Sequence, residues 1–263
     1  MSFKFLLVCC ASLFPTLGYG EIVTKPIDYQ EGSQALKGWL AYDDSSKDLR
    51  PGILVFPEWW GLTDYPKHRA EQLAKLGYVA FAADMYGKGV TTDDPNQAGQ
   101  LAGKVKGDID LLRARASAAL DQLKNAPGVD AKRMAAIGYC FGGTVALELA
   151  RSGADLAGVV SFHGGLDTPR PDDAKNIKGK ILICTGGDDA FIPPHQIAAF
   201  EDEMRKGNVD WQVIVYGGAH HAFTNPDVDR HHIPNIGYNA AADHRSWAAM
   251  QEFFDEIFGN ANK

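Results

Sequence analysis

Apolar residues collect in short, near-continuous runs, and between those runs they recur at every third or fourth position. The runs at 53–56, 79–83, 134–137, 158–162, 181–184 and 211–216 have strand length, and most lack polar alternation. Strands of that kind belong to a parallel sheet covered on both faces. Helical spacing predicts helices near 64–76, 108–125, 142–152, 195–206 and 243–258. Asp64 is a suitable N-cap for the first and Gly77 closes it, while Pro127-Gly128 stops the second. The alternation predicts an α/β fold: one domain built on a doubly wound, mostly parallel sheet with helices on both faces. Ligands of such sheets collect at the carboxyl ends of the strands. Candidate chemistry is therefore sought just after each apolar run.

The first twenty residues break this pattern. Lys4 precedes the apolar run 5–14, and Pro15, Gly18 and Gly20 follow it. A positive start, a short apolar stretch and small residues at its exit predict a secretory signal peptide over residues 1–20. The folded domain is then expected over 21–263, in an exported protein that is periplasmic or secreted. The run is shorter than the ~20 apolar residues that span a bilayer, so a transmembrane anchor is not expected.

Composition adds limits. The chain has 263 residues, 45% of them hydrophobic, enough for one globular domain with a substantial core. Its net charge of -7 argues against nucleic acid as a partner. Cys9 and Cys10 would leave with the signal peptide, so Cys140 and Cys184 remain, too few for a disulfide framework. Cys184 closes an apolar run and reads as packing.

Cys140 is different. Gly138-Tyr139-Cys140-Phe141-Gly142 sits between a strand and a helix and has the G-x-C-x-G form of a nucleophile elbow, with cysteine in the usual serine place. A helix N-terminus behind a thiol favours the thiolate and offers N–H groups to an oxyanion. Asp188 and Asp189 follow a later apolar run, and His220 and His221 follow the last one. Nucleophile, acid, base is the chain order of the α/β-hydrolases. A dinucleotide-binding turn is disfavoured because G-x-G-x-x-G spacing is absent. His220, His221, His231 and His232 lack the spacing of a metal site, so neither metal nor cofactor is expected.

Glu58-Trp59-Trp60-Gly61, the stretch 76–86 ending in Asp84-Met85-Tyr86, and Gly138–Gly143 together resemble the dienelactone hydrolase family, over most of residues 30–258. The resemblance implies the α/β-hydrolase fold and favours Asp189, in Gly186-x-x-Asp189-x-x-Ile192-Pro193, over Asp188. It likewise favours His221, in His221-x-Phe223, over His220. Glu58 is implied to pair with the resting thiol and gate it. Tyr86, Lys88 and Asn225 fall at substrate-binding positions, but Lys88 and Asn225 stand where the family carries two carboxylate-gripping arginines. Lysine loses the planar fork, and asparagine loses the charge.

The activity so implied is hydrolysis of a small-molecule ester or lactone, of the carboxymethylenebutenolidase type, with dienelactone itself in doubt. Cys140 would be the nucleophile, His221 the base and Asp189 its orienter, with the Trp59 and Phe141 N–H groups as the oxyanion hole. The alternative is a non-catalytic or oxidised relic that binds small molecules in the periplasm. The oligomeric state is not fixed by the sequence, with a monomer favoured.

Overall fold

The structure, a computed structural model, describes residues 21–45 and 47–259. The expected signal peptide lies outside the described residues. The chain opens with a hairpin, β1 (Ile22–Glu31) and β2 (Gln34–Asp43), followed by β3 (Arg50–Phe56), α1 (Asp64–Lys75) and β4 (Val79–Ala82). Two helices, α2 (Pro95–Lys106) and α3 (Ile109–Lys124), lead to β5 (Val129–Tyr139), α4 (Phe141–Arg151) and β6 (Gly158–Phe162). Then come β7 (Lys180–Gly186), α5 (Pro194–Gly207), β8 (Trp211–Tyr216) and α6 (Ala240–Phe258).

The eight described strands form one sheet in the order β1-β2-β4-β3-β5-β6-β7-β8. β1 with β2 and β2 with β4 are antiparallel; the other pairs are parallel. The chain goes from β3 to β4 on one side and returns to β5 on the other. That reversal opens a crevice at the carboxyl ends of β3 and β5. Side chains alternate across the sheet, so Leu54 and Phe56 of β3 join the core beneath α3 and α4. Ile53 and Val55 face the opposite layer with Leu73 and Phe254.

Three elements are additional to the sequence expectation and one differs in detail. The β1-β2 hairpin and α2 are additional. The N-cap of α1 is Thr63, so Asp64 lies inside the first turn, where its negative charge complements the exposed N–H groups of the helix start.

Under the crevice, Arg151 is fully buried at the end of α4 and joins three segments. It donates to Glu203 of α5 at 2.8 and 2.9 Å, to Glu148 at 3.0 Å, and to the Leu166 carbonyl at 2.9 Å. Arg113 of α3 holds the other oxygen of Glu148 at 2.8 Å.

Candidate active site

β5 delivers Cys140 into the crevice with φ 53° and ψ -115°, a backbone that L-residues rarely adopt. The flanking glycines permit the turn. A Cβ on Gly138 would run into the Gly142 carbonyl, and one on Gly142 into the Phe56 carbonyl at the end of β3. The Gly138–Gly142 turn and the β3 end are thus packed backbone to backbone.

His221 lies after β8 with Nε2 3.0 Å from Cys140 Sγ and Nδ1 2.9 Å from Asp189 Oδ2. The other Asp189 oxygen accepts the Phe191 N–H at 2.9 Å, which fixes the carboxylate plane. Burial opposes a charge on His221, yet attraction to Cys140 and the Asp189 hydrogen bond raise its pKa to about 10. Asp188 and His220, the sequence neighbours, are exposed, with His220 Nδ1 near the Asp188 carbonyl at 3.2 Å. The arrangement can therefore carry a proton between a thiol and a third group while Asp189 holds the ring.

Phe141 opens α4, so its N–H has no acceptor within the helix. The Trp59 N–H takes no backbone acceptor among the described residues. Tyr86 donates its hydroxyl to the Trp59 carbonyl at 2.9 Å and packs its ring 5.7 Å from that of Phe141. Tyr86 thus braces the segment that carries the Trp59 N–H.

In this geometry three residues singled out in the sequence have partners other than those the resemblance implies. Glu58 is buried, and its carboxyl accepts from Asn225 Nδ2 at 2.7 Å; the Cys140 sulfur is paired with His221. Among the described residues no hydrogen bond joins Glu58 to the thiol. Burial raises the Glu58 pKa to about 7, against the pull of the Asn225 hydrogen bond and of His221. Asn225 is engaged by the same contact, and its Oδ1 accepts the Asp227 N–H at 3.0 Å. Lys88 is half exposed and paired with Asp28 of β1 at 2.6 Å, because the turn after Tyr86 directs it toward the hairpin.

Two residues escaped the sequence reading. Phe191 is half exposed with its ring 5.0 Å from that of His221, an apolar wall two residues after Asp189. His163, directly after β6, is fully buried and accepts the Cys140 N–H at Nδ1. A histidine at the carboxyl end of a central strand was the available signal for it. A polar cavity of about 540 Å³ lies alongside, lined by Trp60, Tyr65, Asn225, Arg230 and His231 among others. Cys140 does not line it.

Comparisons with known proteins show the family and the fold. The family model described as "Dienelactone hydrolase family" matches residues 36–258. "Protein usf" of Aquifex pyrophilus is 31% identical over 76% of this chain and 86% of its own length. A protein of Aquifex aeolicus provisionally named a carboxymethylenebutenolidase is 30% identical over the same shares, 76% and 86%. Among solved structures, one titled "m3DLH" has a TM-score of 0.88 and 44% identity, covering 90% of this chain and 99% of that one. A dienelactone hydrolase-like promiscuous phosphotriesterase from metagenomic libraries has a TM-score of 0.86 and 42% identity, over 90% and 99% of the two chains.

Proposed function

Since the chain belongs to the dienelactone hydrolase family, we propose that it hydrolyses uncharged carboxylic esters and lactones through a Cys140-His221-Asp189 triad. The observation that carries the reading is the line from Cys140 Sγ to His221 at 3.0 Å and on to Asp189 at 2.9 Å, at the carboxyl end of the sheet.

Cys140 Sγ, its proton passed to His221 Nε2, attacks the acyl carbon, and the carbonyl π electrons move to oxygen. The Trp59 and Phe141 N–H groups receive that oxyanion, at about 3–4 kcal/mol per donor in the transition state. The tetrahedral intermediate collapses as the C–O bond breaks, and His221 Nε2–H protonates the departing alkoxide. A thioester remains. Water then gives a proton to Nε2 and its oxygen attacks the thioester, expelling the thiolate and a carboxylic acid. Asp189 keeps the imidazole in the orientation both halves need.

An uncharged substrate is supported by what the cationic and amide groups already hold. Lys88 is paired with Asp28 and Asn225 with Glu58, so neither offers a grip for a substrate carboxylate. Phe191 offers apolar surface in its place. A second reading, turnover of neutral phosphotriesters, is favoured by the 42% identity to the promiscuous phosphotriesterase. Residues 1–20 support export, which N-terminal sequencing of the mature protein would test.

The test is hydrolysis of a short-chain chromogenic ester, with a phosphotriester assayed beside it. Cys140→Ala and His221→Ala should each abolish turnover. Undiminished turnover in both overturns the triad reading. Failure of Cys140 to take up an acyl group from an activated ester, followed by mass spectrometry, would favour a non-catalytic binding protein.

A further inference from the structure

β6 ends at Phe162, and the next residue, His163, turns through a φ of 42° while its N–H donates to the Cys184 carbonyl of β7 at 2.8 Å. The imidazole is fully buried, and both ring nitrogens have partners. The Cys140 N–H lies 3.1 Å from His163 Nδ1 and is shared with the Phe162 carbonyl at 3.0 Å. An N–H aimed at Nδ1 requires a lone pair there, so the ring proton sits on Nε2. Nε2 is 2.7 Å from Thr224 Oγ1, which accepts it.

Thr224 is itself held by two further side chains. Tyr65 donates its hydroxyl to Thr224 Oγ1 at 2.7 Å, Arg69 Nη2 donates to the Thr224 carbonyl at 2.7 Å, and Arg69 continues to Asp243 of α6. His163 meanwhile packs edge-on against the His221 ring, with centroids 5.4 Å apart and planes at 68°. One ring therefore touches the nucleophile's strained backbone and the base's imidazole, and an anchored hydroxyl fixes its tautomer. A positive charge on His163 would oppose the imidazolium of His221. Burial, reinforced by His221 itself, keeps His163 neutral by holding its pKa well below the ordinary range.

We propose that His163, locked by Thr224 as the Nε2–H tautomer, is a positioning residue that sets Cys140 and His221 against each other. The inference rests on the triad reading above and assigns a role to a histidine outside the triad. Without the Thr224 acceptor the ring can carry its proton on Nδ1. That N–H would then face the Cys140 N–H, donor against donor, and push the nucleophile turn away from the base.

The experiment compares Thr224→Val, Thr224→Ser and His163→Phe in the full chain. Two readouts are used: steady-state hydrolysis of the chromogenic ester, and the rate at which iodoacetamide alkylates Cys140. Thr224→Val should lower kcat about 10- to 100-fold with KM changed less than about twofold, and slow alkylation by about tenfold. Thr224→Ser should recover most of both, and His163→Phe should resemble Thr224→Val. Nitrogen-15 NMR of the histidine rings should show His163 as the Nε2–H tautomer in the wild type and lose that signature in Thr224→Val. Equal kcat in the valine and serine variants overturns the proposal, as does an Nδ1–H tautomer in the wild type. If the wild type turns over no ester but alkylation still depends on Thr224, positioning stands and the hydrolase reading alone falls.

Discussion

Asn225 donates a 2.7 Å hydrogen bond to the buried carboxyl of Glu58, and its own carbonyl oxygen is taken by the Asp227 N–H. Glu58 is thereby tied to the segment between β8 and α6. The Cys140 sulfur is left with His221 as its hydrogen-bond partner. A carboxyl held in that way should leave a mark on stability as well as on the thiol.

Glu58 has a pKa of about 7 in the folded chain, against 4.5 for the free side chain, because burial disfavours its charge. The folded state thus binds this proton more tightly than the unfolded state does. The stability it contributes is full below about pH 4.5 and is lost as the pH rises through about 7. Glu58→Gln carries no such loss and can still accept from Asn225. In urea denaturation it should match the wild type at acid pH and exceed it on the order of 2–3 kcal/mol at pH 8. Asn225→Leu, which removes the donor to the carboxylate, should move the wild-type loss to higher and not lower pH. Identical pH dependence in wild type and Glu58→Gln would refute the assignment.

His221 owes its raised pKa, about 10, to Cys140 and Asp189, which together outweigh its burial. The imidazolium that protonates a leaving group should persist through neutral pH and be lost near pH 10. The alkaline limb of kcat/KM for an ester should fall there. Asp189→Asn removes the carboxylate from Nδ1, so the limb should move toward the ordinary imidazole range. Turnover should fall by about 10³-fold or more. A limb that stays in place in the variant would mean that another group titrates.

Phe191 is half exposed beside His221 and presents apolar surface next to the base. Phe191→Ala should weaken capture of a butyrate ester about 5- to 20-fold, chiefly through KM, since the lost contact is worth about 1–2 kcal/mol. An acetate ester should lose less. Equal losses for the two esters would place Phe191 outside the acyl site.

The parallel core was legible in the sequence because its strands are buried on both faces and read as unbroken apolar runs, as 53–56 and 181–184 do. The β1-β2 hairpin was not, because β1 is an edge strand whose side chains are mostly part-exposed and which contains Pro26. Its turn did leave a trace in Gly32-Ser33, with Gly32 at φ 53°. α2 also had its signal in Asp94-Pro95, where the Asp94 side chain caps the Asn96 N–H, but its apolar face is short. At the site, residues fixed by local turn geometry could be found from spacing. Partners recruited across the fold could not. Asn225 meets Glu58 across 167 positions and Thr224 meets His163 across 61, and neither distance leaves a pattern in one sequence.

The helix behind Cys140 depends on a charge cluster that lies outside the proposed triad. Arg151 is fully buried and neutralises Glu203 and Glu148, two carboxylates that are also almost wholly buried. It caps the Leu166 carbonyl as well, in the loop that follows His163. Arg151→Met fills much of the same volume but leaves Glu203 without that partner and Glu148 with Arg113 alone. Removing one member of a buried ion cluster typically costs about 3–5 kcal/mol, more than the net worth of the pairs, because the remaining charge is stranded. Arg151→Met should therefore unfold at a clearly lower temperature. Adding Glu203→Gln removes one stranded charge and should recover part of the loss. Since α4 begins at Phe141, alkylation of Cys140 in the folded fraction at low temperature should stay close to the wild-type rate. A Tm in Arg151→Met equal to that of the wild type would show that the cluster adds no stability. A Tm that drops further in the double variant would show that Glu203 is held by something other than Arg151.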